Sequence, residues 1–210
     1  MKDRQLRRLP RTSTPRTLPR TYRQHIRATQ TRANGDAIVT ATVALLERAR
    51  RVSHITLDDI ARESGLTVRT VLRRFGSRDG AFEAAFERLK EEFRRMRVPT
   101  PPGDVAAATR SLLDQYEQIG EINMRALEEE HDLPLLQRTL TEARRLHRAW
   151  LAEVFAPQLA RFREPERARR MTALYAATDS YLWKLLRRDL HCSREETEDA
   201  FRRLIEGVLS

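Results

Sequence analysis

Apolar residues in this chain recur at intervals of three and four, and no stretch alternates apolar and polar positions as a half-buried strand would. Ile38, Thr42, Leu45 and Ala49 predict a first helix over about residues 36–50. A short second helix starts at Thr56-Leu57-Asp58-Asp59, where the Thr hydroxyl can accept from a free backbone N–H and Asp59 can reach back in return. Its inner face is Leu57, Ile60 and Ala61, and Glu63-Ser64-Gly65 makes a tight turn with Gly65 free to take positive φ. Thr67 caps a third helix through about Arg74, and Ser77 caps a fourth that runs through Phe82, Phe86, Leu89 and Phe93.

Val98-Pro99-Thr100-Pro101-Pro102-Gly103 is the strongest interior breaker and predicts a loop. Helices follow over roughly 104–119, 121–131, 134–155, 165–189 and 194–208. Gly120, Pro134, Pro157, Pro165 and the Ser193-x-x-Glu196 capping box set their limits. The predicted fold class is all-α. Composition agrees: Leu, Ala, Arg and Glu dominate, whereas aromatics make up 6% and there are only 7 Gly, which favours helix over sheet.

Charge changes the picture at the N-terminus. Residues 1–33 hold ten basic groups against Asp3, residues 34–80 eight against six, and residues 81–210 22 against 23. The formal net charge of +10 therefore lies almost wholly in the first 33 positions. Pro10, Pro15 and Pro19, many Thr and Arg, and no sustained apolar period predict a basic, disordered or loosely extended arm there. Such an arm favours polyanions, nucleic acid first and anionic membrane second. Those prolines break the helical face that an Arg-rich transit peptide needs. The Arg7-Arg8 pair is followed by no apolar stretch of the kind a signal peptide requires. Cys192 is the sole cysteine, which fits a reducing cytoplasm, and no apolar run approaches bilayer-spanning length, so no membrane partner is expected.

Thr56 to Arg74 reads as helix, three-residue turn, helix. To enter a major groove about 12 Å wide, a second helix must project from the body. That geometry calls for small residues at the crossing, Gly in the turn and polar residues at the second helix's start. Ala61, Gly65 and Thr67-Val68-Arg69-Thr70 supply them in order. The run from Ala37 through Asp79 resembles the N-terminal domain of TetR-family transcriptional regulators. Thr56, Ile60, Ala61, Gly65, Thr70, Phe75 and Ser77 match the family pattern, and Leu66, Thr67 and Arg78 are similar replacements. Leu72 stands where the family usually has Tyr and cannot hydrogen-bond a phosphate. Either Arg73 and Arg74 restore that contact, or the docking angle differs.

The resemblance implies three parts: the basic arm at 1–33, a helix-turn-helix DNA-binding domain at 34–80, and a helical ligand-binding and dimerisation domain at 81–210. Candidate DNA-contacting residues are Thr56, Thr67, Val68, Arg69, Thr70, Arg73, Arg74 and Arg78. Arg suits bidentate contact with guanine, and Arg78 sits at a helix N-terminus that favours an anion. For the arginines the competing reading is a solvated charged face; for Thr56 it is helix capping alone.

Met171, Tyr175, Thr178, Leu182 and Leu185 form one apolar stripe, and Phe201, Leu204, Ile205 and Val208 another. Either stripe could pack inside the monomer. The resemblance implies instead that they join two protomers into a four-helix bundle. Tyr116, Asn123, His147, Trp150, Tyr175 and Trp183 are candidates for a small-molecule pocket, because apolar walls with a few polar groups are the usual binding site. The same residues would serve an ordinary core.

The expected partners are palindromic operator double-stranded DNA, a second copy of the chain and a small-molecule inducer. The expected place is the bacterial cytoplasm, on the nucleoid when DNA is bound. No catalytic residue, metal or cofactor is expected. Glu128-x-x-His131 matches half of a di-iron pattern and has no second copy. His191-Cys192 lacks partner ligands at useful spacing. The two rival classes are a helical enzyme or metalloprotein and a non-specific basic nucleic-acid binder acting through the arm.

Overall fold

A computed structural model describes residues 20–96 and 100–210. The chain packs as two units, Met1–Asp36 and Ala37–Ser210. Every regular element among the described residues is helical. The helices are α1 (Arg20–Arg48), α2 (Leu57–Ser64), α3 (Val68–Phe75), α4 (Arg78–Met96), α5 (Val105–Glu128), α6 (Pro134–Val154), α7 (Ala156–Leu159), α8 (Glu166–Ala177), α9 (Ser180–Lys184) and α10 (Arg194–Leu209). A single 3-10 turn, Val52–His54, links α1 to α2, and a π-helical turn, Leu185–Asp189, extends α9.

The first unit departs from expectation. Residues 20–33, placed by the sequence in a disordered arm, are the opening turns of α1. All three arm prolines precede Arg20, and Ala28, Gln30 and Ala33 are good helix formers, so nothing within this stretch interrupts the helix. Gln30 Nε2 donates to Asn34 Oδ1 at 2.9 Å, one turn on. The remainder of the expected arm, residues 1–19, lies outside the described residues.

In the second unit, Ile38 and Leu46 of α1 pack with Val52, Ile55, Ile60, Val71 and Phe82 in one core. Ala126 of α5 and Leu135, Leu136 and Leu140 of α6 complete it, so residues 37–80 share their interior with the helices that follow. Packing shows no break after residue 80. Two further cores lie among α5, α6, α8, α9 and α10: one around Leu151, Phe155, Leu174 and Ile205, the other around Leu113, Tyr116, Trp183 and Phe201.

Two predicted helix limits are absent or moved, each for a tertiary reason. Gly120 does not end a helix; α5 runs through it. A Cβ at Gly120 would collide with the Trp183 indole, so this glycine gives the ring room to pack against the helix backbone. Conversely, the helix predicted over 165–189 breaks at Thr178-Asp179. There Tyr116 donates its hydroxyl to the Thr178 carbonyl at 2.7 Å, and Asp179 Oδ1 accepts from Tyr181 N at 2.9 Å to start α9.

Candidate nucleic-acid interface and inter-helix cleft

Local chemistry builds the α2–α3 pair. Thr56 Oγ1 accepts from Asp59 N at 3.1 Å while Asp59 Oδ2 accepts from Thr56 N at 2.9 Å, which satisfies two free donors at the start of α2. The Thr56 hydroxyl also holds the Asp59 carboxyl below its usual range, followed by the Thr56 backbone bond. Gly65 ends α2 at φ 67°, in the left-handed region where a side chain is strained, and turns the chain sharply into α3. Thr67 then caps α3, accepting from Thr70 N at 3.3 Å, with the two hydroxyls 3.0 Å apart.

Val71 seals α3 to the core, with Leu66, Val68 and Phe75 packed beside it. Arg69, Leu72, Arg73 and Arg74 are exposed. Among the described residues, Arg69, Arg73 and Arg74 form no ion pair, whereas Arg62 of α2 pairs with Asp59 and Arg48 of α1 with Glu63. These three exposed guanidinium groups give the outer face of α3 a positive charge. Two candidates stand apart from this set. Val68 turns partly inward, because it falls on the core side of α3. Arg78 folds back on the body: it donates to the Ser53 carbonyl at 3.3 Å, pairs with Asp79 at 3.2 Å and lies over the Phe82 ring at 5.4 Å.

A cleft of about 730 Å³ runs between α4, α5 and α6. Its apolar lining includes Phe86 and Leu89 of α4, Ile119 and Ile122 of α5, and Leu140 and Leu146 of α6. Gln115, Asn123, Thr139, His147 and the Trp150 indole supply polar groups. Charges at its edge are largely paired, Glu83 with Arg138 and Glu87 with Lys90, at 3.0 and 3.2 Å. Leu146 is exposed here, a large apolar side chain on an open wall.

Of the six expected pocket residues, Asn123, His147 and Trp150 line this cleft. His147 and Trp150 stack with ring centroids 5.8 Å apart, and His147 Nε2 lies 2.9 Å from Thr178 Oγ1. Asn123 donates to Ser180 Oγ at 2.9 Å. Tyr116 and Trp183 are instead core residues, Trp183 with no exposed surface and its Nε1 donating to Glu117 at 3.1 Å. Tyr175 meets the His147 ring edge-on at 5.3 Å from outside the cleft lining. Sequence reasoning missed the α4 wall and Leu140 and Leu146. Their signal was an apolar stripe on α6 that continues through Ala143, Leu146 and Ala149, more than one core contact needs.

The expected dimer stripes also divide. Thr178, Phe201 and Ile205 are buried within the single chain; Met171, Tyr175, Leu182 and Val208 pack partly against the inner cores. Leu185 and Leu204 remain 44% and 46% exposed, joined by Tyr181 at 56%, which the sequence reading did not include. The break at Thr178-Asp179 re-phases the helix after it, which turns Tyr181 and Leu185 outward together.

No family model and no curated protein matches the sequence. The fold does match a solved structure, that of a Rhodococcus sp. protein assigned to the TetR family of transcriptional regulators. The TM-score is 0.66 over 84% of this chain and 99% of that one, at 17% identity. The chain has the TetR-family fold. Among the described residues no three metal-ligating side chains gather, and no helix is long and apolar enough to cross a membrane.

Proposed function

We propose that this chain is a sequence-specific DNA-binding transcriptional regulator. It works as a homodimer on a palindromic operator and is released when a small molecule occupies the α4–α5–α6 cleft. The observation that carries this reading is α3 itself. It is capped, anchored by Val71, and offers Arg69, Arg73 and Arg74 to solvent without ion-pair partners among the described residues. Arg69 in the first turn of α3 and Arg73 one turn on suit guanine O6 and N7 in a major groove, while Thr56, Thr67 and Thr70 lie close enough to the helix starts to meet phosphate. The TetR-type fold of the Rhodococcus protein supports the same reading.

Dimerisation through Tyr181, Leu185 and Leu204 removes large apolar side chains from water and sets two α3 helices for successive grooves of one operator face. Operator release follows if a ligand prefers an arrangement that spoils that spacing. The cleft suits an apolar or aromatic molecule, since its inner wall is mostly apolar and the Glu83–Arg138 and Glu87–Lys90 charges at its edge are paired with one another.

The test is selection from a randomised duplex library with the full-length protein, followed by competition with unrelated DNA. A regulator enriches a two-fold symmetric motif and holds it against excess competitor. Retention of all sequences alike would place the chain among non-specific basic binders.

A further inference from the structure

Leu72 is 39% exposed on α3. A lone exposed leucine is ordinary on a protein surface. This one is set apart by its company, because the other outward residues of that helix are Thr70, Arg69, Arg73 and Arg74. At about 100° per residue, Leu72 lies about 60° around the helix from Arg69, on the flank between the guanidinium face and the core side formed by Val68, Val71 and Phe75. It is not among the residues packed against that core.

A Leu side chain neither donates nor accepts a hydrogen bond, so it cannot hold a phosphate or read a base-edge polar group. The major groove presents one apolar group, the C5-methyl of thymine. A helix that enters the groove with Arg69 on guanine would carry Leu72 alongside it, within reach of a nearby base pair. The three arginines supply the charge complementarity that holds the helix there.

We propose that Leu72 is a specificity-determining residue that packs on the C5-methyl of one thymine in each operator half-site. This rests on the DNA-binding reading above. It predicts a thymine preference that the arginines cannot produce.

The experiment takes the motif enriched by the full-length wild-type chain and replaces each thymine in turn by deoxyuridine, which removes only the methyl group. Binding is measured for wild type and Leu72→Ala, with circular dichroism and the thermal midpoint confirming that the variant folds. At one thymine per half-site, wild type should lose about fourfold in affinity, the factor one buried methylene-sized group gives at about 0.8 kcal/mol. Leu72→Ala should lose nothing further at that position and should keep its responses elsewhere. Equal losses at every thymine in both proteins would overturn the assignment, as would a wild type indifferent to all the replacements. A wild type that enriches no motif at all would overturn the DNA-binding reading itself, a separate result from either of these.

Discussion

Glu129, at the end of α5, accepts a hydrogen bond from the backbone N–H of Val52 at 2.6 Å. The same carboxylate accepts from Ser53 N at 3.0 Å, and Arg51 stands 3.6 Å away. One turn earlier, Arg125 donates to the Leu46 and Glu47 carbonyls at 2.9 and 2.8 Å, satisfying orphan acceptors at the end of α1. Helix α5 also forms a cleft wall through Ile119, Ile122 and Asn123. The same helix therefore joins the cleft to the end of α1 and to the 3-10 turn that follows it.

Glu129→Ala leaves the Val52 and Ser53 N–H groups without their acceptor in a buried place. The expected cost is about 1–3 kcal/mol of stability, read as a lower midpoint in urea denaturation. An unchanged midpoint would show that water replaces the carboxylate without loss.

Acid should act on the same contact. Burial pushes the Glu129 carboxyl up, but the bonds from Ser53 and Val52 and the Arg51 charge together hold it below the ordinary carboxylate range. A carboxyl lowered in the folded state contributes stability that is fully present above its unfolded value, about 4.3, and is lost as pH falls through its folded value. Wild type should exceed Glu129→Gln in stability at pH 7, and the gap should close as pH drops below about 4. A gap independent of pH would remove ionisation from the contact.

Gly120→Ala offers a test of opposite sign to helix propensity. On an exposed helix that change stabilises by about 1 kcal/mol. Here the added methyl meets the fully buried Trp183 ring, so the expected result is a loss of about 1–3 kcal/mol by overpacking. Thermal denaturation decides between the two.

These residues also mark where the sequence was legible. The α2–α3 pair could be read almost to the residue because its signals are local: the Thr56–Asp59 box, the Gly65 turn and the Thr67 cap each act within four positions. The break at Thr178 and the role of Gly120 depend on Tyr116 and Trp183, about sixty residues away in the chain, and periodicity carries no trace of them. The pocket residues divide for the same reason. Tyr116 and Trp183 have the composition of ligand contacts and the location of a core. His147 and Trp150 lie one turn apart on the open side of α6.

For assembly, Leu185→Glu and Leu204→Glu place charges on exposed positions and should give folded monomers by sedimentation at micromolar concentration. Phe201→Ala should act differently. It empties a core site and costs about 3–5 kcal/mol of stability. If Leu185→Glu and Leu204→Glu remain dimeric, the seam lies on another face.

A cleft ligand found by thermal-shift screening should weaken operator binding by roughly 5–150-fold, the range that a coupling of about 1–3 kcal/mol gives, and operator should weaken ligand binding equally. Leu146→Trp, which fills the open wall with a larger ring, should reduce ligand affinity and spare DNA binding. Equal ligand affinity with and without operator would exclude that compound as an inducer.

The most direct measurement compares wild type, Arg69→Ala and Arg73→Ala on the enriched operator and on a scrambled duplex of equal length at one salt concentration. The central claim, that α3 reads DNA sequence, predicts that each variant loses about 1–3 kcal/mol on the operator, roughly 5–150-fold, and far less on the scrambled duplex. Operator affinities equal to wild type in both variants, or equal losses on the two duplexes, would contradict it.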